Sequence, residues 1–523
     1  MSGICYKPAE IYLGIDLGTT NSCACLSTDG FRQNVVDFHG SSLLPSYAQF
    51  KRGKPIVIGN MAKKSASNKK ASVVYNTKRA MGRSFNDPEV QKMKDNFGSP
   101  IINKDGYPYF QISATGELQS PTDIGTKIVQ HIIERANEKS DSKVTHVCIT
   151  VPAYFDENQR SATLQCVLNC GFTADQVEIL NEPTAAAIRY ISENNFQDGY
   201  LLVYDLGGGT FDVSIVEVRN NECTVKSYAG DNCLGGSDFD KAVADLICSA
   251  YDMVYECGLL PKKDDQTYQR CYSKLLQIAE ITKIDLSSES LVSVDLSIFG
   301  GLGRDDDKEN QIVITRDQLN NAIRPYIMKT MNIIDEALSK ARLRKEDISQ
   351  VIRVGGSSRL LIVEEELTKY FDREGISTGV NMDTCVAEGA CRSLHDEQFK
   401  INEITAYSLG HLLHDGTIHC VIPAGSRIPT HETVTNYTTE NNQRDVKTAL
   451  YQGHATRTNE QTPVNECIKL SDFSYYGFEQ LPAGEVQFET TYFIEKSGIV
   501  YVTVIEYKTG KTLLDRHPME YDP

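Results

Sequence analysis

Asp16-Leu-Gly-Thr-Thr-Asn-Ser22 near the start of the chain and Asp205-Leu-Gly-Gly-Gly-Thr-Phe-Asp212 near its middle are two versions of one element. Each opens on an aspartate that ends an apolar run, Ile11-Tyr-Leu-Gly-Ile15 in the first case and Tyr200-Leu-Leu-Val-Tyr204 in the second. Each then continues through glycine and threonine. An aspartate with bare amides and hydroxyls suits Mg-phosphate, so the pair points to a nucleotide. After the second element, Phe211-Asp-Val-Ser-Ile-Val-Glu-Val218 alternates apolar and polar residues with the period of a strand. Each glycine segment is therefore expected to be a hairpin turn. Walker-type and dinucleotide loops run instead into a helix and use its N-terminus, so this is a different way of holding phosphate.

Outward from the two turns, residues 1–397 alternate strand-like and helix-like stretches, the signature of α/β architecture. In Pro121 to Ile133 the residues Ile124, Ile128 and Ile132 form one apolar stripe after a Pro and Asp start. Thr315-Arg-Asp-Gln318 reads as a capping box, opening a helix whose Leu319, Ile323, Ile327, Ile334 and Leu338 face a core and whose Pro325 should bend it. Val144 to Val151 and Val351 to Val354 read as buried strands. From Ala406 the character changes. Val486 to Ile494 and Ile499 to Ile505 flank Lys496-Ser-Gly498 as a β-hairpin, and Gly416, Gly425, Pro429 and Gly453 punctuate further strand-like runs. An all-β domain over 406–523 is expected, with a joint at 398–405. Asp305-Asp-Asp-Lys-Glu-Asn310 reads as a solvated acidic loop, since its spacing is wrong for calcium.

At 523 residues the chain exceeds one hydrophobic core, so two or three domains are expected. Hydrophobic residues make up 40% and charged residues 24%, an ordinary globular balance, and no apolar run is long enough to span a bilayer. No membrane partner is expected. Met1 to Glu10 lacks the basic and apolar regions of a secretory signal, and Met519 to Pro523 carries no retention or peroxisomal address, which points to the cytoplasm. The fifteen cysteines include no CxxC pair and no Cys/His metal spacing, so reduced thiols are expected, with Cys23, Cys25, Cys166 and Cys170 as small apolar filling. Lys+Arg 53 against Asp+Glu 70 gives a net charge of −17, which opposes contact with nucleic acid backbones.

Six segments together resemble the DnaK-type chaperones, the heat shock protein 70 family. They are Gly14 to Cys23, Val151-Pro-Ala-Tyr-Phe155, Asn181-Glu-Pro-Thr-Ala-Ala-Ala187, Asp205 to Asp212, Leu234-Gly-Gly236 and Val354-Gly-Gly-Ser357. They stand in that family's order and at its spacings, from about Ile11 to about Thr512. The resemblance implies a two-lobed, actin-like α/β ATPase domain with a duplicated sheet, followed by a β-sandwich that binds peptide. It implies ATP or ADP, Mg and potassium as cofactors. Its partners would be unfolded or dedicated polypeptides, a nucleotide-exchange factor and J-domain proteins.

Carried over residue by residue, Asp16 and Asp205 would hold hydrated Mg. Gly18, Thr19, Thr20 and Asn21 would cradle phosphate with Gly207, Gly208, Gly209 and Thr210, alongside Gly235 and Gly236. Lys78, in Asn76-Thr-Lys-Arg-Ala-Met-Gly-Arg83, matches the lysine that positions the attacking water; read alone it would be an exposed lysine. Glu182 would orient water and metal, and read alone would be a helix N-terminal carboxylate. Glu280, Lys283 and Ser287, with Gly355, Gly356, Ser357, Arg359 and Asp383, would bind the nucleoside.

Several positions depart from the family pattern. Ile284 stands where an adenine-stacking arginine is usual, which lowers the expected nucleotide affinity. Glu178 reverses the charge of an arginine used by J-domain partners, turning attraction into a repulsion of ~1–4 kcal/mol at contact; the alternative is a solvated helix-end glutamate. The joint reads Phe399-Lys-Ile-Asn402 before Glu403 instead of a leucine run, so Lys400 and Asn402 are expected to interrupt its docking surface. His411, Leu413, His414, Asn436, Val446 and Thr448 fall at peptide-pocket positions that are mostly apolar in the family, so a more polar segment is expected there. The sequence stops where the family continues into a helical lid, and a lidless chaperone is expected.

The leading reading is an ATP-hydrolysing chaperone that binds polypeptide selectively. A second makes the chain an ATP-binding co-chaperone or scaffold with little turnover. A third, a small-molecule kinase of the same fold, gives the β-domain no role and offers no acceptor-hydroxyl site.

Overall fold

The computed structural model describes residues 10–28, 33–66, 72–94, 96–220, 222–231, 233–265, 267–299, 310–372, 379–396, 399–413 and 415–518. The acidic residues Asp305 to Glu309, the pocket candidate His414 and the joint residue Gln398 lie outside them.

Two six-stranded sheets carry the α/β part. In the first, Val177–Asn181, His146–Val151 and Tyr12–Asp16 run parallel, and the antiparallel Asn21–Ser27 and Gln33–Val35 follow, with Leu44–Pro45 also on Asn21–Ser27. In the second, Ile348–Val354 is parallel to Asp198–Leu206, and the antiparallel Phe211–Arg219 and Glu222–Asp231 follow. Both sheets change from parallel to antiparallel pairing at a glycine hairpin. Asp16 faces Cys23 across the first turn and Leu206 faces Phe211 across the second, as the alternation after each turn predicts.

Both sheet faces are covered, which is why their strands read as near-continuous apolar runs. Leu202, Tyr204 and Leu206 point to a core shared with the helices Gly236–Tyr255 and Arg316–Ala341. Leu201 and Val203 point the other way, to a core shared with the helices Glu182–Asn194 and Cys385–Ser393. The predicted helix starts are present. Ser120 accepts from Asp123 N at 3.0 Å to open Pro121–Ser140, and Thr315 accepts from Gln318 N at 3.3 Å to open a helix that continues past Pro325. The described cysteines are free thiols, and among the described residues no helix is long and apolar enough to cross a membrane.

The helix Cys385–Ser393 comes late in the chain and packs on the first strand. A Cβ on Gly14 would fall onto the backbone of Cys391, and one on Gly389 would fall onto the carbonyl oxygen of Ala185. Backbones this close tolerate only hydrogen at those positions.

The joint forms strand Lys400–Ile404, paired in parallel with Glu222–Thr224. Here the structure differs from the expectation that Lys400 and Asn402 interrupt docking. The pleat sends their polar ends to partners: Lys400 Nζ lies 3.3 Å from Glu222, and Asn402 Nδ2 donates to Glu222 at 2.6 Å and to Thr224 Oγ1 at 3.0 Å. Phe399, Ile401 and Ile404 pack into the neighbouring core. Glu403 is buried and accepts from Asn181 Nδ2 at 3.0 Å, from Thr184 Oγ1 at 2.6 Å and from the Tyr228 hydroxyl. Glu178 is also corrected: it lies exposed on the outermost strand of the first sheet, Val177–Asn181, and not at a helix end.

The all-β region is built from two antiparallel sheets. One is ordered Gln461–Pro463, Thr417–Ile422, Ser408–Leu412, Asp445–Gly453, Ile468–Tyr476; the other Thr430–Tyr437, Gln487–Ile494, Val500–Glu506, Lys511–Pro518. Their inner faces share one core, including Leu409, Leu450 and Phe473 from the first sheet and Phe488, Tyr492 and Val502 from the second. This region lies against the helix Glu157–Leu168. Glu157 N donates to Gln452 Oε1 at 3.0 Å, Asn158 Nδ2 to Lys469 O at 3.3 Å and Arg160 to Ser497 O at 3.4 Å, while Ile499 is buried in the core of the first sheet.

His411 is buried between the two antiparallel sheets, stacked on Tyr492 with ring centroids 5.9 Å apart and beside His419 at 5.3 Å. Its Nδ1 is buried without a hydrogen-bond partner. Burial first, then His419, lower its pKa from the usual 6.5 to about 4.

Two outcomes are expected. Gly389→Ala should destabilise the α/β part by about 2–3 kcal/mol, read as a lower midpoint in calorimetry, because no relaxation short of moving a helix makes room. The unfolded chain protonates His411 near pH 6.5 and the folded one only near pH 4. The stability of the neutral ring is therefore complete above pH 6.5 and lost as pH falls towards 4, by up to about 3 kcal/mol. His411→Leu should flatten that acid limb in calorimetric scans between pH 7 and 4.5; parallel limbs would refute the assignment.

Candidate functional site

The two hairpin turns meet. Gly208 stands so close to Thr20 that a Cβ would collide with its hydroxyl, and a cavity of about 410 Å³ opens between the turns. That volume suits a bound small molecule. Asp16, Gly18, Thr19, Thr20, Asn21, Lys78 and Glu182 line it from the first half of the chain. Asp205, Gly207, Gly208, Gly209, Thr210, Gly236, Glu280, Lys283, Ser287, Gly355, Gly356, Ser357, Arg359 and Asp383 line it from the second turn onward. Of the residues expected at the cleft, Gly235 is off its wall. It lies beneath the second turn, where a Cβ would come within 2.6 Å of Gly209 N.

Lys78 sits in the short 3-10 helix Thr77–Arg79, which follows Asn76 in the left-handed conformation at φ 59°. The lysine is 6% exposed, with Nζ 2.7 Å from Glu182 Oε1 and 5.5 Å from the Phe155 ring centroid. Glu182 is the first residue of its helix, directly after the strand that ends at Asn181, so the strand-to-helix turn delivers the carboxylate to the cleft. Neither residue is the bland surface group that each resembles when read alone.

Around this pair the charge is unbalanced. Asp16 is raised to about 7 by burial and then by Glu182, with Lys78 opposing. Asp205 is held well above the usual carboxylate range by burial, Glu182, Asp212 and Asp16, and Asp212 is raised to about 8 by burial and Glu182. Four carboxylates thus share the ammonium of Lys78. Such a surplus beside bare amides and the unpartnered hydroxyl of Thr20 fits a divalent cation carried with phosphate, so the residues present suit Mg. Asp16 and Asp205 are the groups on the wall that would hold it.

At the other end of the cavity the expected nucleoside residues are gathered but already engaged. Lys63 lies 2.9 Å from Glu280, and Lys283 lies 2.6 Å from Asp240. Arg359 meets Asp383 at 2.8 Å, Ser287 Oγ donates to Ile284 O at 2.6 Å, and Ile284 is 55% exposed on this wall. Ser357 Oγ donates to Gly207 O at 2.9 Å and so ties the second turn to the segment after Val354.

Sequence reasoning missed Asp240, Ser237 and Arg79. Asp240 lies one helical turn after Gly236, and its partner Lys283 comes from a different helix that no local signal names. Arg79 is buried like its neighbour Lys78. Its guanidinium donates to Gly209 O at 2.6 Å and to Met93 Sδ at 3.4 Å, bridging the two halves of the cleft.

The expected peptide-pocket residues lie in the all-β region. Asn436 Nδ2 donates to Thr490 Oγ1 at 3.1 Å across neighbouring strands, two positions along from the Tyr492 that stacks on His411. His411 and Asn436 thus meet two successive inward-facing residues, Tyr492 and Thr490, of one strand. Leu413, Val446 and Thr448 are half-buried, and the last two stand opposite Tyr475 and Phe473.

Comparison with known proteins agrees with this geometry. The family model described as Hsp70 protein matches residues 12–515. A heat shock 70 kDa protein of Neurospora crassa is 31% identical over 514 residues, 96% of this chain and 76% of that protein. The chaperone protein DnaK of Stenotrophomonas maltophilia is 33% identical over 509 residues, 95% of this chain and 77% of that protein. A chaperone protein HscA homolog of Vibrio vulnificus is 32% identical over 504 residues, 95% of this chain and 76% of that protein. With two matched hairpins closing on one acidic, lysine-bearing cleft, and with relatives along nearly its whole length, the chain belongs to the Hsp70 family of ATP-hydrolysing chaperones.

Proposed function

We propose that residues 1–397 form a two-lobed, actin-like ATPase domain with the two hairpins as opposite walls of a Mg-ATP cleft. Residues 406–523 would form a β-sandwich that takes polypeptide, with 398–405 as the joint. The observation that carries this reading is the buried Lys78–Glu182 pair, 2.7 Å apart, at the point where both turns converge. Bound Mg, held through water by Asp16 and Asp205, would neutralise phosphate charge. Amides of Gly18 to Asn21 and of Gly207 to Thr210 would cradle the phosphates. Lys78, fixed by Glu182, would place the attacking water and offset the charge that builds on the γ-phosphate. Thr210 would hydrogen-bond that phosphate. The Arg359–Asp383 pair would flank the base, with Ile284 giving apolar contact where the family uses an arginine.

In the sandwich, the polar side chains of His411 and of the Asn436–Thr490 pair support selection of a less hydrophobic segment than a purely apolar pocket takes. Two results test these assignments. Lys78→Ala should slow single-turnover hydrolysis by ~2–4 kcal/mol of transition-state stabilisation, with ATP still bound; an unchanged rate would rule out its role. Glu178 should leave the ATPase weakly responsive to a J-domain protein while peptides still stimulate it, and Glu178→Arg should raise that response by about fivefold or more. Equal J-domain stimulation of both forms would exclude Glu178 as the determinant.

A further inference from the structure

Behind the Lys78 wall lies a second, smaller cavity of about 10 Å³, room for roughly one water molecule. Thr19, Lys78 and Thr210 line both this space and the main cleft, so their side chains form the partition between the two. Arg79 and Arg83 stand on its far side, and the Nε–H of each is buried without a hydrogen-bond partner. Arg79 is 8% exposed. Arg79 Nη2 donates to Gly209 O at 2.6 Å, Arg79 Nη1 to Met93 Sδ at 3.4 Å, and Arg83 Nη1 to Asp87 at 2.9 Å.

The cavity also has a closure. Glu89, from the helix Pro88–Met93, accepts from the thiol of Cys233, which lies just before Gly235-Gly236 and beyond the second turn. The Cys233 backbone is fixed in turn by Asp231, whose Oδ1 accepts from its N at 2.8 Å. Burial and Glu89 push the thiol pKa up to about 12, so the proton that makes this contact is in place at neutral pH.

ATP hydrolysis breaks the bond between the γ-phosphorus and the bridging oxygen. It leaves ADP in the wide part of the cleft and orthophosphate at its inner end, against Lys78 and Thr210. ADP then stands between that phosphate and the open mouth. We propose that the small cavity behind Lys78 begins a separate exit for orthophosphate, gated by the Cys233–Glu89 contact, through which phosphate leaves while ADP stays bound. Arg79 and Arg83 offer donors to a passing anion, and the Glu89 carboxylate repels it, which makes Glu89 part of the barrier and not of a resting site. At one water's volume the closed passage cannot hold phosphate, so the gate must part for each turnover. This inference rests on the placement of the γ-phosphate under "Proposed function", and its test separates the two.

The experiment uses the full chain with ATP in single turnover. Hydrolysis is followed by acid quench, phosphate by a fluorescent phosphate sensor, and ADP dissociation by a fluorescent ADP analogue. Cys233→Leu and Cys233→Phe fill the passage. They should leave quenched hydrolysis and ADP dissociation unchanged while phosphate release lags hydrolysis, more for Phe than for Leu, reaching about tenfold. Cys233→Ala, which opens the passage, should show no such lag. The proposal is overturned if phosphate follows hydrolysis at the parent rate in both filled variants, if Ala delays it as much as Phe, or if phosphate leaves the parent only together with ADP. Absence of hydrolysis in the quenched parent samples would overturn the cleft assignment and the exit with it.

Discussion

Asp16, Glu182, Asp205 and Asp212 bring more negative charge into one buried cleft than Lys78 can offset, and much of the architecture answers that constraint. Left to themselves the carboxylates would take up protons or move apart. They are prevented from moving because each is anchored at the end of a buried strand or the start of a buried helix. The strands come from two different sheets, so the frame must hold those sheets in fixed relation. The helix Cys385–Ser393 contributes by packing at backbone distance on the first strand and on the helix that begins with Glu182. Arg79 adds a polar tie from the first half of the chain to Gly209 of the second turn. Burial and crowding thus raise the proton affinity of Asp16, Asp205 and Asp212, and a cation carried with phosphate would favour their charged forms.

Much of this was readable from sequence because the signals were local. The hairpins followed from period-two alternation after Asp205-Leu-Gly, the helix starts from Ser120 and Thr315 with their reciprocal partners, and the cleft residues from short motifs carrying their own glycines. What escaped was non-local. Nothing near Asp240 in the chain announces that Lys283 will reach it, and nothing in Lys78-Arg79 says that both cations are buried. The joint was misread for a related reason. Lys400 and Asn402 look like interruptions in a linear string, yet a strand presents alternate residues to opposite sides, and Glu222 and Thr224 wait on the neighbouring strand. Glu178 was misplaced because Val177 to Asn181 is too short for periodicity to separate strand from helix end.

The all-β region follows a similar logic with a different balance. The imidazole of His411 is buried against an otherwise apolar core and keeps one nitrogen without a protein partner. Burying such a group costs about 1–3 kcal/mol, which natural cores seldom accept without a use for it. The region stands against the helix Glu157–Leu168 through Gln452, Lys469 and Ser497, mostly with hydrogen bonds to backbone atoms. Such contacts depend on where a strand lies more than on which side chain it carries.

The joint strand has one more consequence, which concerns energy scale. Lys400–Ile404 is laddered in parallel to Glu222–Thr224 over three residue pairs and antiparallel to Arg427–Ile428 over two. Backbone hydrogen bonds contribute about 0.5–1.5 kcal/mol each net of water, so the ladder is worth a few kcal/mol. Peeling it away would also draw Phe399, Ile401 and Ile404 out of the core they join and strip Glu403 of its buried partners. The joint is therefore fastened by ladders, core contacts and a buried carboxylate together. It is held from the catalytic side by Asn181, whose amide grips Glu403 one residue before Glu182. The buried carboxylate of the joint thus shares a partner with the strand-to-helix turn that bears Glu182.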